Sequence, residues 1–263
     1  MVEWQWLALS LIPGLGIKTI NYLLESFETI NGLFEAQPEV IVQKTGISLE
    51  MATRIHRAKE SQSFQIEKRL VEQTEGLKLI CIESQNYPTR LKEISSSPLV
   101  LYWQGTLNQA ETPCIAFVGS RSCTAYGKKH TKRLICELAR YIPNLIIVSG
   151  LARGIDTVAH ETALENGLST IAVLGGGLHH IYPPENSSLA KTIMEKGVIL
   201  SEFPLKLKPL AKNFPIRNRI ISGLSQGVVI TESRKASGAK HVSAKTLPAL
   251  EWSGPRNAVG LAR

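Results

Sequence analysis

The chain is poor in cysteine. Cys81, Cys114, Cys123 and Cys136 are its four, and no two form a C-x-x-C pair. They are too few for a disulfide scaffold and wrongly spaced for zinc, so they read as buried thiols. Asp156 is the only aspartate. No apolar run approaches the roughly 18 residues a spanning helix needs, which excludes a transmembrane helix and membrane partners. Apolar Trp4–Ile17 lacks the positive start of a signal peptide, because Glu3 precedes it, Lys18 is the first basic residue and Pro13-Gly14 breaks it. It reads as a first helix and turn in a cytoplasmic protein. The G-x-x-x-x-G-K-[ST] of a Walker ATPase is missing, and no G-x-G-x-x-G follows the first strand of the α/β region. His179-His180 has no H-E-x-x-H context, and His160-Glu161 has no second histidine at helical spacing. No metal and no cofactor are expected.

What is present suits a soluble globular protein of one large or two modest domains: 263 residues, 43% hydrophobic and 20% charged. The net charge of +8 is unevenly placed. Residues 1–110 carry a net −2 and residues 111–263 a net +10. The excess is densest in 206–245, where Lys206, Lys208, Lys212, Arg217, Arg219, Arg234, Lys235, Lys240 and Lys245 face only Glu232. A clustered excess is the footprint of a face that binds polyanions. The alternative is a solvated basic surface.

Residues 1–70 form a small all-α domain, with helical spacing in Trp6–Ile12, Ile20–Phe27 and Ala52–Ile66. Pro13-Gly14-Leu15-Gly16 and Thr45-Gly46-Ile47-Ser48 are turns, and Ser48 can cap the next helix. The first turn resembles a helix-hairpin-helix, whose amides can hold a DNA phosphate. The region's net −2 favours a docking module instead. Residues 71–110 bridge, with short strands at Leu77–Glu83 and Leu99–Trp103. From Thr112 strand and helix alternate: Cys114–Val118, Leu145–Val148, Thr170–Leu174, Val198–Leu200 and Val228–Thr231 are strands. Helices are expected over 128–142, Asp156–Glu165, Ser187–Glu195 and Arg219–Leu224. This is an α/β pattern: a Rossmann-like, mainly parallel sheet with helices on both faces, over 111–239.

Ligands bind such sheets at the carboxyl ends of the strands. Those ends read Gly119-Ser120-Arg121, Ser149-Gly150, Gly175-Gly176-Gly177, Ser201-Glu202 and Glu232. Glycines there, with Arg153 and Gly154 before a helix, are candidates to cradle phosphate. Arg121 is the cation placed directly on a strand end, able to grip phosphate in two-point fashion or to pair with Glu202 or Glu232. Asp156 opens a helix and reads as its cap rather than as a general base. Lys212, Phe214, Arg217 and Arg219 put three cations and a ring within eight residues. Cations for phosphate and a flat ring for an unstacked base are how single strands are held without reading sequence. Tyr182 and Phe203 can add ring faces. Alternatively, the rings pack in the core and Arg217 and Arg219 brace loops.

Phe117-Val118-Gly119-Ser120-Arg121, Val148-Ser149-Gly150-Leu151-Ala152-Arg153-Gly154-Ile155-Asp156, Leu174-Gly175-Gly176-Gly177-Leu178, Ile181-Tyr182-Pro183-Pro184-Glu185-Asn186, Ser201-Glu202-Phe203-Pro204 and Phe214-Pro215-Ile216-Arg217-Asn218-Arg219 stand in the order and spacing of another set. The chain resembles the DNA-processing protein A (DprA/Smf) family over about 115–238. That resemblance implies a SAM-like helical domain before the Rossmann-like one. It also implies a dimer that protects single-stranded DNA, helps load the RecA recombinase in natural transformation, and is not an enzyme. Family DNA contacts carry over to Gly119, Ser120 and Arg121, then to Lys212, Phe214, Arg217 and Arg219. After Ser237-Gly238-Ala239 the sequence departs from the family, and 240–263 is a divergent tail with no visible strand. Two alternatives stand beside this reading. One is a nucleotide phosphoribohydrolase-type enzyme, although its P-G-G-x-G-T-x-x-E is absent. The other is a scaffold acting through residues 1–70.

Overall fold

A computed structural model describes residues 2–107, 112–233 and, as strand backbone, 260–262. The chain divides into two compact units, Met1–Tyr87 with Ser95–Leu101 and Pro88–Ile94 with Tyr102–Arg263. The expected bridge over 71–110 therefore does not stand apart; its residues are shared between the two. Among the described residues no helix is long and apolar enough to cross a membrane.

The first unit is helical: α1 (Val2–Ser10), α2 (Ile17–Phe27), α3 (Ile30–Glu35), α4 (Pro38–Thr45), α5 (Leu49–His56) and α6 (Gln62–Gln73), then strand β1 (Leu77–Cys81). Apolar spacing sets the packed faces: Ile20 and Leu23 on α2, Ala52 and Ile55 on α5, Phe64 and Val71 on α6 are buried. Gly46 closes α4 at φ 69, a left-handed geometry that favours glycine, and Ser48 caps α5 by accepting from the Met51 amide at 3.2 Å. The continuous helix expected over Ala52–Ile66 is broken. A 3-10 turn at Ala58–Glu60 intervenes, and Ser61 caps a new helix by accepting from Phe64 N–H at 3.3 Å. Two faces of helical period were read as one. The Pro13 turn lines a cleft of about 500 Å³ with Leu11, Ile12, Thr53, Arg54 and Arg57.

The second unit holds α7 (Thr89–Lys92), most of β2 (Val100–Gly105), β3 (Cys114–Val118), α8 (Ala125–Tyr141), β4 (Ile146–Ser149), α9 (Ile155–Glu165), β5 (Ser169–Val173), α10 (Ser187–Lys196), β6 (Val198–Ser201), α11 (Asn213–Leu224), β7 (Gly227–Ile230) and β8 (Gly260–Ala262). Its sheet runs β2-β6-β5-β4-β3-β7-β8. The strands β6, β5, β4, β3 and β7 are parallel, as in Ala116↔Val148 and Ala116↔Val228, and the edge strands are antiparallel. All five predicted strands are present. On one face, Phe117 and Ile147 pack with Ile135 of α8 and with Ala159 and Ala163 of α9. The alternate residues Ala116 and Val148 are also buried, so the second face is covered too. From β3 to β6 the chain moves steadily one way; α11 then carries it back to the far side of β3. Right-handed crossovers put a returning helix on the opposite face. The strand order reverses between β3 and β7, and that is where such sheets bind ligands.

Several boundaries differ from expectation; α8, for one, begins at Ala125 rather than 128. The helix expected at Arg219–Leu224 begins at Asn213, so Phe214 and Arg217 lie one turn apart on α11. Residues 234–259 and 263, which include most of the divergent tail, lie outside the described residues, but Gly260–Ala262 pairs antiparallel with β7, where no strand was expected. Three residues are too few for a legible period, and the ladder of an edge strand accepts any short extended segment.

Candidate functional site

The loops at the reversal point are fixed by backbone contacts that only glycine permits. Ser120 N–H donates to the Glu232 carbonyl at 2.8 Å, and Ile155 N–H donates to the Ser120 carbonyl at 3.2 Å. A side chain on Gly119 would come within 2.5 Å of Ile155. Gly154, at φ 80, lies so close to the Ser120 carbonyl that a Cβ would collide with it. The start of α9 is thereby pressed against the β3 loop, and Arg121 is turned outward.

Arg121 is exposed, and its guanidinium carbon lies 4.9 Å from the centroid of Phe214. Neither carboxylate considered as its partner forms a salt bridge with it; each holds another group. Glu232 Oε2 accepts from the Thr124 amide at 2.9 Å and the Thr124 hydroxyl at 2.8 Å, while Glu202 accepts from Arg219. Phe214 is half-buried; a Cβ on Gly175 would lie 2.9 Å from its ring. Tyr182, itself exposed, stands 6.0 Å away, centroid to centroid, and Lys212 projects from the turn before α11. Phe203 is half-buried. An exposed cation and a partly open ring thus meet at the carboxyl edge, with a second exposed cation, Lys212, two residues before the ring in sequence.

Beneath them lies a buried pair of charges. Arg217 is 3% exposed. One of its guanidinium nitrogens donates to the Gly150 carbonyl at 2.8 Å and to the Val173 carbonyl, tying the ends of β4 and β5 together. A Cβ on Gly150 would collide with that guanidinium. Burial lowers the Arg217 pKa to about 10, against the pull of Asp156, and the group stays charged at neutral pH. Burial raises Asp156 to about 6, opposed by Arg217, by the amides of Ala152 and Gly150, and by Arg121. The capping role expected for Asp156 is corrected: its carboxylate accepts from Ala152 N–H at 3.3 Å, in the loop before the helix. Leu151 in that loop sits at φ 58, a left-handed conformation held by Asn186, which donates to the Leu151 carbonyl at 2.9 Å.

Other candidates have different work. From sequence Arg217 stands among the direct DNA contacts; burial makes it a brace instead. Arg219 is spent on Glu202, itself mostly buried and raised in pKa by that burial. Of the phosphate-cradle candidates, Ser149 is buried and donates to the Phe117 carbonyl at 2.6 Å, holding β4 to β3. Gly176 and Gly177 are covered by the chain at 204–209: Gly177 N–H donates to the Leu207 carbonyl at 2.8 Å, and a Cβ would strike the Pro204 carbonyl. They permit close chain packing rather than an open loop. Arg153 is exposed and pairs with Glu185. His160 is buried, bonds Thr170 Oγ1 at 2.7 Å, and is held neutral by burial, its pKa near 3. The Asp156–Arg217 pair was not foreseen; a lone aspartate and an arginine 61 residues apart carry no local signal.

The fold and the site together define a Rossmann-like domain with a cationic, ring-bearing rim at its reversal point. The chain belongs to the DNA recombination-mediator protein A family, whose model matches residues 78–247. It is 37% identical to the Smf protein of Synechocystis over 239 residues, 89% of this chain and 59% of that one. The crystal structure of DNA processing protein A from Streptococcus pneumoniae superposes with a TM-score of 0.75 at 34% identity, covering 92% of this chain and 82% of that one. The solved structure of DNA processing protein A from Helicobacter pylori, described for its single-stranded DNA binding mode, gives a TM-score of 0.56 at 33% identity, covering 63% of this chain and 74% of that one. The chain spans 53–59% of the length of the first curated relatives it matches.

Proposed function

We propose that this chain binds single-stranded DNA at the carboxyl edge of its sheet. Arg121 and Lys212 meet phosphates there, and Phe214, flanked by Tyr182, meets a base. One observation carries the reading: an exposed arginine stands over a partly open ring, and no carboxylate among the described residues forms a salt bridge with it. A buried arginine in the next turn of the same helix fixes the strand ends beneath. The single-stranded DNA binding mode of the Helicobacter protein supports the choice of single strands. Bases carry no sequence code in such stacking, so binding is sequence-tolerant. Gly119, Ser120, Gly150, Gly154 and Gly175 shape the rim. Arg217 and Arg219 act from below it.

The rest of the proposal follows the resemblance: a cytoplasmic dimer that is not an enzyme, shields incoming strands and helps load the RecA recombinase on them. Anisotropy titration with single- and double-stranded oligonucleotides tests the core of it. Preference for the single strand, with no base released from nucleotides, is expected. Base release without DNA binding would point to the phosphoribohydrolase-type alternative instead.

A further inference from the structure

We propose that an exposed stripe on α8 is a second contact for the strand, carrying it onward from Arg121. This rests on the DNA-binding reading of the strand-edge site. Gly127, Thr131 and Ile135 of α8 are buried, with Leu134 and Leu138 packed against the core. Tyr126, Lys129, His130 and Arg133 recur at i, i+3, i+4 and i+7, so they share one side of the helix. Tyr126 is 53% exposed, and its ring rests on His130 with centroids 4.0 Å apart. A ring held in place by a second ring is a stacking platform that costs little entropy to present.

The platform is anchored to the site already described. Thr124 caps α8 by accepting from Gly127 N–H at 3.2 Å, and Glu232 holds Thr124. A Cβ on Gly127 would collide with that same carboxylate. Tyr126 is five residues beyond Arg121, at most about 18 Å along the chain. From Arg121 to Arg133 there is no acidic residue. No carboxylate of the described residues pairs with Lys128 or Lys129, and Arg133 has only an exposed partner, Glu137, at 3.6 Å. Such pairs contribute little and yield to phosphate. Cations alone fit any polyanion; cations with an exposed stacked ring, continuous with the Arg121 loop, fit an unpaired strand.

Two oligothymidylates separate this contact from the first: the shortest that binds, and a longer one. Tyr126→Ala is expected to bind the short strand like the wild type and the long strand about fivefold or more weakly. Tyr126→Phe keeps wild-type affinity for both. Lys129→Ala flattens the salt slope by about 0.7 on the long strand only. Wild-type affinity of folded Tyr126→Ala for both lengths overturns the inference, and so does an equal loss on both. A wild-type protein that binds no oligothymidylate of any length rejects the strand-edge reading itself.

Discussion

Replacing Asp156 with asparagine is expected to remove a pH dependence from the stability of the folded chain. Burial raises this carboxyl from 3.8 to about 6, a change worth about 3 kcal/mol between its two protonation states. The folded state therefore holds one proton more than the unfolded state between those values. Stability from this group is fully present below about pH 4 and is lost as pH rises through about 6. His160 works in the opposite sense. Its pKa falls from 6.5 to about 3, so its contribution is lost as pH falls through that interval. His160 is common to wild type and Asp156→Asn, and cancels in their difference. Urea denaturation of both proteins from about pH 4 to about pH 7 should show the wild type losing about 3 kcal/mol relative to the variant across the window. Parallel stability curves would refute the placement of Asp156 as a buried carboxyl beneath the site.

Three further outcomes follow from the same geometry. Phe214→Ala should lower affinity for single strands by about 1–3 kcal/mol without changing the salt slope; a variant that melts far earlier yet binds normally when folded makes the ring structural. Arg217→Met leaves two buried carbonyls unmatched and should cost about 1–3 kcal/mol for each, read as a lower urea midpoint; an unchanged midpoint denies the brace. Gly154→Ala forces a Cβ into the Ser120 carbonyl at φ 80, so the melting temperature should drop and strand affinity fall with it; normal melting contradicts the close approach of α9 to the Arg121 loop.

The parallel sheet was legible because five short apolar runs alternate with helical spacing, and each ends in glycine or a polar residue. The site's place followed from the rule that ligands meet strand ends, and Arg121 was readable as the cation on such an end. What the arginines of α11 do was not readable. Arg217 and Arg219 are two residues apart in one basic run, yet one points into the sheet and the other meets Glu202. Helical phase decides that, and the helix start was placed six residues late, at Arg219 instead of Asn213. The triple glycine misled for a related reason. Glycine marks close approach of backbone, and nothing local says whether a ligand or the chain at 204–209 approaches. Of the stripe on α8, Lys129, His130 and Arg133 lie inside the helix expected from 128, but Tyr126 falls two residues before that start.

The central claim is that Arg121 at the sheet's reversal point meets the phosphates of a single strand. Its most direct test is a titration of a single-stranded oligonucleotide at several salt concentrations, with wild type and Arg121→Ala side by side and a melt of each. The side chain is exposed, so the variant should melt like the wild type. Loss of one charge-assisted contact, about 1.5–3 kcal/mol, should weaken binding about tenfold or more. The slope of log K against log salt should flatten by about 0.7. A folded Arg121→Ala protein with unchanged affinity and slope would contradict the account.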